Sequence, residues 1–429
     1  LKPDEKSGAF IFKQQDIEAK QSSLYNEHIK LVDKSRLTPF AGFLMPLWYS
    51  SVSDEHNAVR TKAGLFDCSH MGVLEVTGPQ AFGFLNTIFT NDLSKVDIGG
   101  AQYGYVLDAA GNCLDDIIIY RRAAEKFMVV VNAANEPKIK AYVNALLKDR
   151  VIIDAENPKK KLEFKPSIRD MRDTGTGSDS RVDLALQGPA SLDIILVLVK
   201  DKLVKDKIRE LKPFKFVETN IDGIDCIISR TGYTGTAVGF EIYVHPAKAP
   251  HIWSAILKAG SKFGILPCGL GARDSLRIEA GFPLYGHELA GPYNVSPFEA
   301  GYGFAVKLQK EFFIGKAAMQ SNSRQYNKEI VRLELPGEKG IRPVRQNDAV
   351  LSGTGECIGW ILSCAGIADK QIALALITKN FLKSTYAVGI YYLARNDAQV
   401  KKGKKNKVEK DELLQPDITG LTLSRFAKF

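Results

Sequence analysis

Metal-ligating residues and long apolar runs are both scarce in this chain, and each scarcity excludes a class of function. Six cysteines and six histidines are scattered over 429 residues. No C-x-x-C pair and no His/Cys cluster at ligand spacing occurs among them. Neither a zinc site nor a disulfide framework is expected, and the cysteines read as reduced, cytosolic thiols. No run approaches the roughly eighteen uncharged apolar residues that suit a membrane helix, so no membrane partner is expected. The opening Leu1-Lys-Pro-Asp-Glu-Lys6 lacks the apolar centre of a secretory signal, and since no Met precedes Leu1 the natural start is expected upstream. Phosphate-loop and serine-hydrolase signatures, G-x-x-x-x-G-K-[ST] and G-x-S-x-G, are missing as well.

The rest of the composition, 45% apolar and 25% charged, is that of ordinary folded domains, and 429 residues predict two or three of them. The formal net charge of +9 first points to an acidic partner. Six lysines against one glutamate fall within residues 401–410. Aromatics are not interleaved with them as on a base-stacking surface, so no nucleic-acid partner is expected. The segment reads either as a solvated loop or as a docking patch for an acidic protein or a polyanionic ligand tail.

Periodicity organises the chain. Residues 1–24 form a polar arm, and helices are expected through 24–31 and 55–63. From Gly72 strands alternate with helices: strands at 73–77, 103–107, 114–121 and 127–132, helices at 79–89 and 136–147. Residues 154–181 break the rhythm and read as an exposed loop. A strand at 182–186, a Gly188-Pro189 join and a helix at 190–199 then echo Val73 to Phe89, where Gly78-Pro79 makes the same join. Two α/β halves of related design are expected. Beyond Gly303 short strands at 330–335, 349–351, 358–362 and 372–377 predict a small β-barrel or sandwich.

Several residues could carry chemistry. Asp115 and Asp116 open the apolar run Ile117-Ile118-Ile119-Tyr120, where a carboxylate must find donors or a cationic ligand. Adjacent on a strand, they face opposite sides, so at most one points into a shared site. They read either as turn-edge caps on backbone N–H groups or as one functional acid. Glu241 lies in Gly239-Phe-Glu-Ile-Tyr-Val-His245, on the face with Tyr243 and His245. That face is either solvent or a polar pocket for a planar, amide-like heterocycle. Arg273 stands at a helix start, against the macrodipole. Either Asp274 and Arg277 make a surface pair there, or Arg273 presents its fork to a ligand. Cys68, Cys113 and Cys226 read as buried apolar thiols.

Eleven segments resemble, in order, the folate-dependent aminomethyltransferase (T-protein) family of the glycine cleavage system. They include residues 40–46, 60–71, 114–116, 186–189, 230–235, 239–241 and 269–279. The resemblance implies an α+β fold, a three-domain cloverleaf. Two related α/β subdomains (residues 25–302) surround a central folate cavity, and a β-barrel-like domain (303–429) follows. It implies that Asp116 is the catalytic carboxylate and that Glu241 and Arg273 grip tetrahydrofolate, with Tyr103, Asn132, Tyr233 and Met71 lining the pocket. The implied partner is lipoylated H-protein, from whose aminomethyl-dihydrolipoyl arm a methylene passes to tetrahydrofolate as ammonia leaves. The implied compartment is the cytoplasm, or the mitochondrial matrix in a eukaryote. The chain departs from the family at Gly232-Tyr-Thr-Gly-Thr-Ala-Val-Gly-Phe-Glu241, which lacks the usual acidic pair, and at Leu362-Ser-Cys-Ala-Gly-Ile-Ala-Asp369. A tetrahydrofolate-dependent demethylase on the same fold is therefore the alternative. A folate-binding scaffold is a third reading, but its Lys-Gly-Cys-Tyr-x-Gly-Gln motif is not found.

Overall fold

The computed structural model describes residues 8–14, 18–175, 177–322, 326–382, 385–409 and 411–429. Part of the expected N-terminal arm, Thr176 of the loop at 154–181, and Lys410 lie outside them. The chain divides into two compact units. One takes the described residues within Leu1–Gly232, Thr236–Arg273 and Ala305–Asn322; the other takes those within Tyr233–Gly235, Asp274–Phe304 and Ser323–Phe429.

The first unit opens with β1 (Lys20–Gln21), the four-residue α1 (Tyr25–His28), β2 (Leu37–Phe40) and β3 (Phe43–Pro46), with β3 central in a small sheet. The helix expected through 24–31 shrinks to α1. The next helix, α2 (Val52–Thr61), starts and ends earlier than expected because Ser51 caps it, its Oγ accepting from the Asp54 amide at 3.0 Å. Strand β4 (Gly64–Asp67) follows.

Two copies of one pattern come next. In the first, β5 (Gly72–Thr77) passes through Gly78 into α3 (Ala81–Ile88). The meander β6 (Gly100–Leu107), β7 (Cys113–Ala123) and β8 (Lys126–Val131) then leads to α4 (Glu136–Leu147) and β9 (Ser167–Asp170). In the second, β10 (Val182–Gln187) passes through Gly188 into α5 (Ser191–Leu198) and α6 (Lys202–Arg209). The meander β11 (Phe216–Ile221), β12 (Ile224–Ser229) and β13 (Gly239–Val244) leads to α7 (Ala249–Gly260), β14 (Leu266–Cys268) and α8 (Leu270–Ala280). The strand orders are β6-β7-β8-β5-β9 and β11-β12-β13-β10-β4-β14, so the halves share a topology that the Gly-Pro echo foreshadowed. Gly188 needs its freedom: its φ is 123°, and a Cβ would meet the Lys62 carbonyl at 2.7 Å.

Both faces of each sheet are buried. Ile117 and Ile119 of β7 face an outer core closed by Phe84, Leu85 and Ile88 of α3 and Ile139, Tyr142 and Leu146 of α4. Leu184, Leu186, Phe240 and Ile242 face the matching core under α5 and α7, with Trp253 at its centre. The inner faces meet through Val73, Tyr120, Met128, Val130, Phe216, Ile227 and Tyr243, with Met71 and Ile118 packed alongside. Burial of each large apolar side chain contributes about 1.5–3 kcal/mol, so this four-layer arrangement is held chiefly by area removed from water. It also means that any acid on an inner face lies in a desolvated layer.

In the second unit, β15 (Lys328–Pro336), β16 (Ala349–Leu351), β17 (Cys357–Ile367), β18 (Lys370–Thr378), β19 (Ala387–Tyr391) and β20 (Ile418–Leu423) close a barrel in the order β15-β18-β17-β16-β19-β20. Alternate residues such as Val331, Leu333, Leu335, Ala373, Ala375 and Ile377 fill it. The basic segment is partly paired: Lys404 reaches Asp417 at 2.5 Å, Lys407 reaches Glu409 at 2.7 Å, and Lys405 reaches Glu412. The Asp274–Arg277 pair forms at 2.8 Å but is no surface pair. Arg277 is 1% exposed and also bonds the buried Glu288 at 2.8 Å, because this face of α8 turns into the core.

Candidate active site

The antiparallel pairing of β6 with β7 sets Tyr105 opposite Asp116 and Tyr103 opposite Ile118. Tyr103 then donates its hydroxyl to Asp116 Oδ2 at 3.0 Å. Just past β8, Asn132 donates its amide to Asp116 Oδ1 and to Asp115 Oδ1, both at 2.8 Å. Asp115 takes two further bonds, from the Asn132 backbone at 3.0 Å and from Asn135 Nδ2 at 2.5 Å. The capping reading thus holds in part for Asp115. Alternation sends the two side chains to opposite faces of β7, yet one amide bonds both, because Asn132 sits just past the end of β8. Burial raises both carboxyls above their ordinary range, and the neighbouring Asp116 charge raises Asp115 further.

Asp116, Ile118 and Tyr120 share the inner face of β7. Four residue steps along the strand separate the first from the last, a span of about 13 Å. At the far end the Tyr120 hydroxyl lies 2.9 Å from the Tyr243 hydroxyl and donates to Glu241 Oε2 at 3.3 Å. Tyr243 donates to the same Oε2 at 3.4 Å, and Thr231 bonds it as well. Glu241 is 8% exposed, so its face of β13 is buried rather than solvated. All these bonds end on Oε2; among the described residues Oε1 takes none, which leaves it for a ligand donor.

Arg273 is positioned from beneath. Glu55 Oε1 accepts the backbone N–H groups of Tyr49 and Ser50 at 2.6 and 3.0 Å, and its Oε2 accepts that of Gly269 at 2.8 Å. This fixes the entry into α8, where Gly269 runs so close to Leu47 that a Cβ would meet its carbonyl at 2.6 Å. One turn on, Arg273 Nη1 donates to Cys68 Sγ at 2.8 Å. Burial pushes the Cys68 thiol well up, although the Arg273 charge opposes it, so this cysteine is a neutral neighbour rather than a nucleophile. The adjacent Asp67 is locked into a buried chain. Its Oδ2 lies 2.8 Å from His28 Nε2 and accepts from Ser22 at 2.8 Å, and His28 Nδ1 lies 2.8 Å from the Tyr49 hydroxyl. Burial would raise Asp67, but the His28 bond and charge outweigh it and hold the carboxyl at about 2.

The first unit therefore gathers Asp116, Tyr103, Asn132 and Glu241 into two hydrogen-bond networks at the two ends of one face of β7, with Met71 against the same inner core. Arg273 joins the group through Cys68, whose thiol senses Arg273, Asp183 and Glu241 together. Tyr233 belongs to the second unit, where its hydroxyl donates to the Pro283 carbonyl at 2.6 Å. Tyr243, expected on the Glu241 face, does bond Glu241; Tyr120 and Thr231, which also hold it, were not foreseen. Nor was Asp183 of β10, an acid inside the apolar run Val182-Asp-Leu-Ala-Leu186. That is the same signal that drew attention to Asp115 and Asp116.

Residues 24–310 match the family model described as the GCVT N-terminal domain. The aminomethyltransferase of Halalkalibacterium halodurans is 42% identical over 308 residues, 71% of this chain and 76% of that protein. The aminomethyltransferase of Desulfitobacterium hafniense strain Y51 is 40% identical over 366 residues, 85% of this chain and 91% of that protein. The crystal structure of glycine cleavage system aminomethyltransferase T from Bartonella henselae shares 27% identity and a TM-score of 0.72, covering 95% of this chain and 97% of that one. Fold and relatives together define a one-carbon transferase of the aminomethyl class. The chain belongs to the aminomethyltransferase family, the T-protein family of the glycine cleavage system. Among the described residues no helix is long and apolar enough to cross a membrane.

Proposed function

We propose that this enzyme moves the methylene of an aminomethyl-dihydrolipoyl arm, carried by lipoylated H-protein, to tetrahydrofolate with release of ammonia, and that Asp116 is its catalytic carboxylate. Bound tetrahydrofolate supplies the N5 amine that accepts the methylene. Glu241 Oε1, open while Oε2 is tethered, is suited to the donor edge of the pterin, and the Arg273 fork is suited to a ligand carbonyl or carboxylate. Asp116 steadies the positive charge that develops as amine and methylene combine and ammonia departs. Tyr103 and Asn132 hold that carboxylate in place, so no reorientation is needed as the charge appears. Tyr103, Asn132 and Met71 complete this reading of the pocket in the first unit, and Tyr233 is assigned to it on the resemblance. The compartment that fits is the cytoplasm, or the mitochondrial matrix in a eukaryotic cell.

The observation that carries the reading is the spacing on β7: an acid held by Tyr103 and Asn132 at one end, and a tether to a second, half-open acid at the other. Ammonia and methylenetetrahydrofolate should both form when aminomethylated H-protein and tetrahydrofolate are supplied. Tetrahydrofolate binding without that turnover would instead assign the pocket to a demethylase of a small methylated compound.

A further inference from the structure

We propose that Asp183 is a second acceptor in the folate site, taking one N–H of the pterin 2-amino group beside Glu241; the proposal rests on the folate reading above. The aminopyrimidine edge of a pterin presents N3–H and the 2-amino group side by side, and two acceptor oxygens in line match it. Glu241 offers only one. Its Oε2 already receives Thr231, Tyr120 and Tyr243, which leaves Oε1.

Asp183 supplies the other. In the β10–β13 pairing Ala185 lies opposite Glu241 and Asp183 opposite Tyr243. Asp183 is therefore the diagonal neighbour of Glu241 on the same face, with backbones about 7–8 Å apart. Its side chain is buried, 2% exposed, and among the described residues its Oδ1 has no hydrogen-bond partner. An orphaned carboxyl oxygen in a desolvated layer is a cost to folding, and a ligand N–H would remove it. The backbone is fixed at the same time, since the Asp183 carbonyl accepts the Cys68 amide at 3.2 Å.

Two carboxylates at this spacing would repel each other over one ligand edge. Burial first, and then the Glu241 charge, raise Asp183 well above the ordinary carboxylate range, while Arg273 opposes the shift. The titratable and charged groups on its side of the sheet are Glu241 and Tyr243 on β13, Cys68 just past β4, Tyr120 on β7 and Arg273 on α8, and the Asp67 charge acts on it from the other side of the sheet. Burial and the neighbouring Glu241 charge thus favour the protonated form of Asp183, and a protonated carboxyl keeps its carbonyl oxygen as an acceptor.

The test is calorimetric binding of tetrahydrofolate, and of its 2-desamino-2-methyl analogue, to the full chain and to Asp183→Leu and Asp183→Asn, with melting temperatures alongside. Asp183→Leu should bind tetrahydrofolate about tenfold or more weakly, at an unlowered melting temperature. Asp183→Asn, which keeps a carbonyl, should stay within about threefold. The analogue should bind the parent and Asp183→Leu alike. Binding of tetrahydrofolate by Asp183→Leu within about twofold of the parent would overturn the proposal, as would equal losses for both ligands or a lowered melting temperature. Failure of the parent itself to bind tetrahydrofolate would overturn the folate reading, and with it this one.

Discussion

Replacing Asp116 by Asn changes one atom in a carboxylate whose two oxygens each have a side-chain partner, so its consequences can be worked through. Asp116 Oδ1 accepts from Asn132 Nδ2 at 2.8 Å, and Oδ2 accepts from the Tyr103 hydroxyl at 3.0 Å. An Asn side chain satisfies both if its oxygen faces Asn132 and its amide faces Tyr103, because a hydroxyl can turn to accept where an amide cannot. The Tyr103 O–H loses its carboxylate acceptor, but this side chain is only half-buried, and the charge beside Asp115 is removed. Folding stability should therefore change by less than about 1 kcal/mol. The lost carboxylate no longer steadies positive charge at the reacting edge, a contribution of order 10²–10⁴ in rate, or about 2.7–5.5 kcal/mol. The assay is single-turnover ammonia release from aminomethylated H-protein with saturating tetrahydrofolate, together with a thermal melt. A rate within a few-fold of the parent at an unchanged melting temperature would refute the catalytic role of Asp116. A loss of rate together with a large drop in melting temperature would refute the hydrogen-bond argument instead.

Other outcomes follow from the same geometry. Because burial raises the Asp116 carboxyl above the ordinary carboxylate range, and the charged form is the working one, kcat/KM should fall with acidification at a pH above the ordinary carboxylate value. An acid limb near the ordinary carboxylate value of about 4 would contradict the burial argument. Tyr120→Phe removes one donor to Glu241 Oε2 and leaves Thr231 and Tyr243, so the Kd for tetrahydrofolate should rise about three- to tenfold by calorimetry. An unaltered Kd would show that Glu241 needs no tether from β7. In the second unit, Arg277→Met strands the buried Glu288 and should cost about 3–5 kcal/mol in urea unfolding. The double change with Glu288→Leu should recover most of that loss, and no recovery would mean that the pair is not the source.

Much of the architecture could be read along the chain. The two strand–Gly–Pro–helix units, the meanders and the barrel strands follow from local periodicity and turn chemistry, which act over a few residues. The failures are local too. Periodicity predicted a longer helix at α1 and a later one at α2, where a Ser cap decides the start. The acids at Asp115, Asp116 and Glu241 could be singled out because a carboxyl among β-branched residues is costly wherever it lies. Asp183 carried the same signal in a shorter run and was passed over.

Sequence alone therefore determined which residues needed partners and how the strands and helices alternate, since both depend on the chemistry of neighbours in the chain. Only the tertiary structure decided who the partners are. Strand alternation assigns a face to Glu241 but not what covers it; that is settled by a second sheet whose Tyr120 lies 121 positions away. The same holds for Asn132, which joins two acids that alternation sets apart, and for Arg277, whose spacing from Asp274 suits a surface pair while its face of α8 turns inward. Burial is a property of what lies across a layer, and the chain order carries no record of it.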